Sequence, residues 1–193
     1  MALIDITAPS AEPVLAADVK AAARIDSANT AFDATLTLLI PGIRRLAENR
    51  LGRRLITQTV ELVLDAFPAS EIDLLLPDVQ AISSVKYLEA AAGVETTLDS
   101  TAYALDANSS LESWLHPAVD TEWPDTYDAA NAVRIRYTVG YGDAGSDVPH
   151  DIRLWIIAHC VQALQSPSGH AAGALQALPY VDGLLDAHRV VRF

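Results

Sequence analysis

The stretch Asn131-Ala132-Val133-Arg134-Ile135-Arg136-Tyr137-Thr138-Val139-Gly140-Tyr141-Gly142-Asp143-Ala144-Gly145 decides the fold of this 193-residue chain. Its first part alternates, with Val133, Ile135, Tyr137 and Val139 on one side and Arg134, Arg136 and Thr138 on the other. Period two with one apolar side is the pattern of an antiparallel strand half-buried on a core. The second part, Gly140 to Gly145, is a literal G-x-G-x-x-G, which in a dinucleotide-binding fold lets the backbone approach a pyrophosphate at a helix N-terminus. Such a fold places the motif after a parallel strand that is apolar on both sides, and this strand carries arginines. The next helix begins near Val148-Pro149, beyond the third glycine. No Asp or Glu stands between Asp151 and Asp182 to meet a ribose. The glycines therefore read as a turn, with a nucleotide-binding or hydrolytic module at Gly140 to Gly145 as the enzyme alternative.

Working outward toward the C-terminus, Asp147 is a capping residue and Pro149 sits in a first helical turn. Ile152, Trp155, Ile156, His159 and Ala163 line that helix's inner face. Ser166-Pro167-Ser168-Gly169 stops it. Ser166 to Leu178 is rich in Gly and Ala and reaches roughly 45 Å if extended. A last short helix is expected near Val181 to Ala187, with Leu184 and Leu185 apolar, before the cationic and apolar tail Arg189-Val190-Val191-Arg192-Phe193. That tail either docks on its own body or is an arm that orders on a partner.

Toward the N-terminus, period two recurs from Leu55. Ile56, Val60, Leu62 and Leu64 share one face with Gln58, and Thr57, Thr59 and Glu61 share the other. Ile72 to Leu76, Ser83 to Glu89, Val94 to Leu98, Tyr103 to Asp106 and Leu111 to Leu115 are further strand candidates. Upstream of these, Pro13 to Ile25 reads as a short helix. A longer one carries Phe32, Leu36, Leu39, Ile43 and Leu46 at spacings of four and three, one stripe that needs a partner. Pro41 predicts a kink or a division into two shorter helices, and Gly52 a C-terminal cap. The order helix, helix, strands, helix, helix predicts an α+β fold, in which N- and C-terminal helices pack as a small bundle around a β-rich antiparallel insert. The expected divisions are 1–54 for the N-terminal helical part, 55–146 for the insert, and 147–193 for the C-terminal helices and tail.

Composition limits the function. Lys and Arg number 13 against 25 Asp and Glu, a net charge of −12, which repels a phosphate backbone and disfavours sequence-specific DNA binding. Apolar stretches fall short of the ~20 residues that span a bilayer, and Met1 to Ser10 has no cationic start before an apolar run, so no membrane association is expected. Cys160 is the single cysteine. The histidines, His116, His150, His159, His170 and His188, contain no i, i+4 pair with a glutamate between, and no Gly-x-Ser-x-Gly occurs. The acidic loop Asp120, Glu122, Asp125 and Asp128 lacks the spacing of a calcium hand and reads as solvated. No catalytic, cofactor or metal residue is assigned. Five of the 13 basic residues, Arg44, Arg45, Arg50, Arg53 and Arg54, concentrate in eleven positions. They serve either the C-terminal dipole of their own helix or a contact with an acidic neighbouring subunit.

Several stretches, in order, resemble the head–tail connector (adaptor) proteins of long-tailed phages and gene transfer agent particles. Pro13-Val14-Leu15 with Val19-Lys20 and Arg24-Ile25-Asp26 is similar to that family's opening helix. Leu51-Gly52-Arg53-Arg54-Leu55-Ile56-Thr57-Gln58-Thr59 is similar to its passage from second helix to first strand. Pro77-Asp78-Val79-Gln80, Ile82-Ser83-Ser84-Val85-Lys86-Tyr87, Asn131 to Tyr137 with Gly140-Tyr141-Gly142, Pro149, and Leu184-Leu185 before Arg189 continue the likeness. The sequence departs from the family at Pro41-Gly42, where an unbroken helix is usual, and at His188, where an aromatic residue often stands. The resemblance implies a structural, non-enzymatic protein of the virion neck, made in the host bacterium's cytoplasm and needing no cofactor. It implies a ring of about twelve copies. Partners would be the portal protein, neighbouring copies, a stopper or tail-terminator protein, and DNA passing without sequence-specific binding. Leu184, Leu185, Arg189, Val190, Val191, Arg192 and Phe193 would bind the portal, and the five arginines would meet neighbouring subunits. A tail-completion or stopper protein is the neighbouring alternative.

Overall fold

The computed structural model describes residues 1–109, 111–165 and 179–190. The chain divides into two units, Met1–Ser10 with Thr57–Tyr141 and Ala11–Ile56 with Gly142–Phe193.

Among the described residues the first unit is built from eight strands: β1 (Ala2–Asp5), β2 (Gln58–Leu64), β3 (Ile72–Asp73), β4 (Val79–Leu88), β5 (Glu95–Thr97), β6 (Tyr103–Asp106), β7 (Trp114–Pro117) and β8 (Val133–Val139). Five form an antiparallel sheet in the order β1-β2-β8-β4-β5, and three form a second in the order β3-β7-β6. The alternation read at 133–139 is observed: Val133, Ile135, Tyr137 and Val139 are buried while Arg134 and Arg136 are exposed. They pack with Val60, Leu62, Leu74, Val85 and Leu115, and the Tyr137 hydroxyl donates to the Leu74 carbonyl. A buried phenol needs such an acceptor.

The other face of the large sheet is not simply wet. Glu61 of β2 is buried, and its two oxygens accept from Arg134 (3.1 Å) and Arg136 (2.8 Å) on β8, with Arg136 directly opposite it in register. Sequence reading gives no element at residues 2–5. There β1 covers one edge of the sheet by pairing with β2, Ala2 opposite Val63 and Asp5 opposite Val60.

The second unit holds α1 (Ala16–Ala22), α2 (Asp33–Leu51), α3 (His150–Gln165) and α4 (Pro179–Gly183), with 3-10 turns at Gly145–Asp147 and Asp186–His188. Helices α1 and α2 pack on α3, and α4 packs on α3, so helices from both ends of the chain share one bundle. Two expectations are corrected here. Of the two outcomes expected at Pro41, the division into two shorter helices does not occur: Pro41 lies inside one 19-residue helix, which lacks one backbone donor there. The buried stripe is also displaced. Leu36, Ile40, Arg44, Ala47, Glu48 and Leu51 face inward, whereas Leu39 and Ile43 are half-buried and Leu46 is exposed. A count of apolar residues missed that face because it contains an arginine and a glutamate.

Gly52 ends α2 in the left-handed region (φ 71°), its N–H bonded to the Glu48 carbonyl, a conformation without penalty only for glycine. Asp147 does not cap α3 directly. It lies in a 3-10 turn, where its carboxylate accepts the Ala144 N–H (3.0 Å), and α3 starts three residues later with the Pro149 carbonyl accepting from Arg153. The inner face of α3 carries Ile152, Trp155, Ile156 and Cys160.

Candidate functional site

The arginine cluster lies in the last turns of α2 and just beyond, and it divides by burial. Glu48, fully buried, accepts from Arg44 (3.1 Å), from Arg45 (3.5 Å) and from the Leu55 N–H (3.1 Å). Arg44 also donates to Glu12 at 2.8 Å. Arg53 and Arg54 are buried as well. Three of the five arginines are therefore buried. A buried ion pair with its remaining hydrogen bonds filled fixes geometry more than it adds stability. Arg45 and Arg50 keep substantial exposure and are the members of the cluster that reach the surface.

Arg50 leads to the C-terminal segment. Its guanidinium stacks over the Trp155 ring, 5.2 Å from the centroid, and pairs with Asp182 of α4 at 2.9 Å. Asp182 also accepts the Trp155 indole N–H at 3.1 Å and lies 3.6 Å from His159, which itself stacks on Trp155. The indole hydrogen bond, ahead of the opposing effect of burial and with Arg50 adding to it, holds the Asp182 carboxyl below its ordinary range. Six residues on, the His188 ring donates to Asp151 of α3 at 2.7 Å. Burial raises the Asp151 carboxyl, but that hydrogen bond and the His188 charge outweigh it, and the net direction is downward. Leu185 is buried, Leu184 half-buried, Arg189 exposed, and the Val190 N–H bonds the Leu51 carbonyl at 2.8 Å. An open cleft lined by Asn49, Arg50, Asp182, Leu185, Asp186 and Arg189 marks where this segment meets the end of α2. Of the residues expected to bind a partner, Leu185 and Arg189 line this cleft with Arg50. Val191, Arg192 and Phe193 lie outside the described residues, as do His170 and the connector 166–178.

Two signals stand in the sequence: Arg50 two residues after Glu48, and Asp182 in the first turn of the last helix. Nothing in one sequence says that two such residues meet across 132 positions.

The glycine motif has packing reasons. A Cβ on Gly142 would come within 2.7 Å of the Asp147 side chain, and one on Gly145 would lie 2.8 Å from the carbonyl oxygens of Glu12 and Pro13. The latter are backbone atoms that do not yield. The helix after the motif starts at His150, too late for its N-terminus to be framed by these glycines. Among the described residues no cluster of His, Cys, Asp or Glu has the geometry of a metal site, and no helix is long and apolar enough to cross a membrane. Cys160 is buried and its thiol is pushed up to about 11 by desolvation. Such a thiol is a core residue at neutral pH.

No family model matches the chain, and no curated protein does. Solved structures do. A chain in the neck of an empty gene transfer agent particle, computed with C6 symmetry, superposes with a TM-score of 0.83 at 23% identity, covering 100% of this chain and 97% of that one. A chain in the virion of the native gene transfer agent particle gives 0.82 at 24% identity with the same coverage. A chain in the neck of the native particle, computed with C12 symmetry, gives 0.72 at 22%. From end to end, this chain has the fold of a chain built into gene transfer agent particles, two of those structures being of the particle neck.

Proposed function

We propose that this protein is a structural subunit of the neck of a phage-like particle, a head–tail connector that assembles as a ring on the portal and leaves a channel for DNA. The observation that carries the reading is the full-length likeness to chains of gene transfer agent particles, necks of which were computed with C6 and C12 symmetry. It agrees with the resemblance read from the sequence at 13–26, 51–59, 77–87 and 131–142. A twelve-fold ring of one chain needs two different, complementary faces that close by rotation. The net charge of −12 suits a subunit beside a DNA path, because an acidic wall releases no counterions and holds no duplex.

In this reading the C-terminal segment is the portal contact. Leu184 and Leu185 anchor it to the helical unit, and the chain from Arg189 onward, with Val190, Val191, Arg192 and Phe193, supplies the cationic and apolar end that a partner receives. Support comes from the exposure of Arg189. The test is co-sedimentation with portal rings from the same genome. Deleting Arg189 to Phe193 should abolish attachment while circular dichroism and thermal unfolding stay as in the full chain. Normal attachment by the shortened protein would remove the segment from the interface.

A further inference from the structure

Among the described residues, the outer face of α2 keeps two large apolar side chains exposed. Leu38 is 79% exposed and Leu46 40% exposed, and they lie on one i, i+4 row with Gly42 between them. Eight residues separate the two leucines, about 12 Å along the axis. Glycine inside a helix is destabilising relative to alanine, and no contact among the described residues requires it here, since a Cβ on Gly42 meets nothing within 4 Å. Two exposed leucines flanking a residue without a side chain form a notch that accepts a large apolar side chain from another helix. Arg45, on the same side of the helix, is 42% exposed and gives the face a positive rim.

The same unit carries a second exposed apolar pair. Leu15 at the start of α1 and Leu154 on α3 are 65% and 49% exposed. Arg153 donates to the Pro13 carbonyl at 3.0 Å, which brings that end of α1 beside the Leu154 turn. Asp18, whose carboxylate accepts the Leu15 N–H at 2.9 Å, gives this pair a negative rim. One patch carries Arg45, and the other carries Asp18 beside Arg153, whose guanidinium is engaged with the Pro13 carbonyl.

We propose that these patches are the two halves of the contact between neighbouring copies: the Leu38–Gly42–Leu46 face of one subunit receives the Leu15–Leu154 surface of the next. The occupant is a second copy of this chain because the patches differ and complement each other in charge, which is what a head-to-tail contact that closes into a ring demands. The inference rests on the ring reading above and assigns its interface.

Gly42→Trp is the discriminating variant. The indole projects into open space in the isolated subunit, so circular dichroism and melting temperature should match wild type, while the notch is filled and a neighbour is held off. Wild-type protein and the variant are each mixed with portal rings and imaged by negative stain, with copies counted by native mass spectrometry. At least a tenfold loss of bound copies is expected for Gly42→Trp. In a second measurement, wild-type-like rings carrying Leu38→Cys and Leu154→Cys are treated with a short bismaleimide, with buried Cys160 as the silent background. Covalent dimers and higher ladders are expected. Gly42→Trp rings as full as wild type, or rings that yield only intramolecular cross-links, would overturn the interface while leaving the ring itself standing. If wild-type protein forms no ring on a competent portal, the ring reading falls and this interface with it.

Discussion

Replacing Glu48 probes the centre of the helical unit. Its carboxylate is fully buried and takes hydrogen bonds from Arg44 at 3.1 Å and from the Leu55 N–H at 3.1 Å, with Arg45 at 3.5 Å. Glu48→Ala leaves the Leu55 N–H without its acceptor and strips Arg44 of one of two carboxylates, Glu12 at 2.8 Å remaining. Breaking a buried pair by removing one partner costs about 3–5 kcal/mol. Part of this is the roughly 1–3 kcal/mol of an orphaned buried donor. The retained Glu12 contact places the expected loss at the lower end, about 3 kcal/mol. For a chain of this size that lowers the melting temperature by roughly 6–12 °C. Glu48→Gln keeps an acceptor for Leu55 but not the charge, and should lose about half as much. Urea unfolding followed by circular dichroism measures both. A Glu48→Ala loss below about 1 kcal/mol would refute the view that this carboxylate organises the end of α2.

Other expectations follow from single contacts. Gly145→Ala drives a methyl against the Glu12 and Pro13 carbonyls and should destabilise by about 1–3 kcal/mol. Gly42→Ala, with open space, should stabilise by about 0.5–1 kcal/mol; thermal melts of the pair separate strained from free positions. The Cys160 thiol, buried and pushed up to about 11, should resist a thiol-reactive dye at pH 8 in native protein and react at once in denaturant. Asp182 and Asp151 both have carboxyls lowered in the folded state. Their stabilisation is therefore complete above the ordinary aspartate value of about 3.9 and is lost as pH falls through the lower folded values. Amide protection in 179–190, corrected for the intrinsic exchange rate, should hold at pH 5 and fall below about pH 4, before that of α3. Exchange that rises only with global unfolding would contradict that.

The parts of the fold that were legible are those where side-chain chemistry follows the backbone period. The strand at 133–139 alternates because its inner residues meet a core and its outer arginines meet Glu61. Gly52 could be read as a cap because its left-handed conformation selects glycine. Where polar residues enter the core, the period misleads: Arg44 and Glu48 occupy the buried face of α2, and Leu46 sits outside. Strand β1 was illegible because four residues carry too little pattern, and its pairing with β2 comes from 55 or more positions away. The arginine cluster was visible as a run, but its division into buried members and the exposed Arg45 and Arg50 depends on contacts with Glu12 and Asp182 that only folding creates. The glycine motif was legible as a turn, and the structure adds why two of its glycines admit no side chain.

The most direct test of the ring assignment is native mass spectrometry with negative-stain imaging of the full chain mixed with portal rings from the same genome. The account predicts a closed ring of this chain seated coaxially on the portal, with copies matching the twelve-fold symmetry used for the native particle neck. Portal rings that remain bare, while a different neck protein from the same genome binds them, would contradict it.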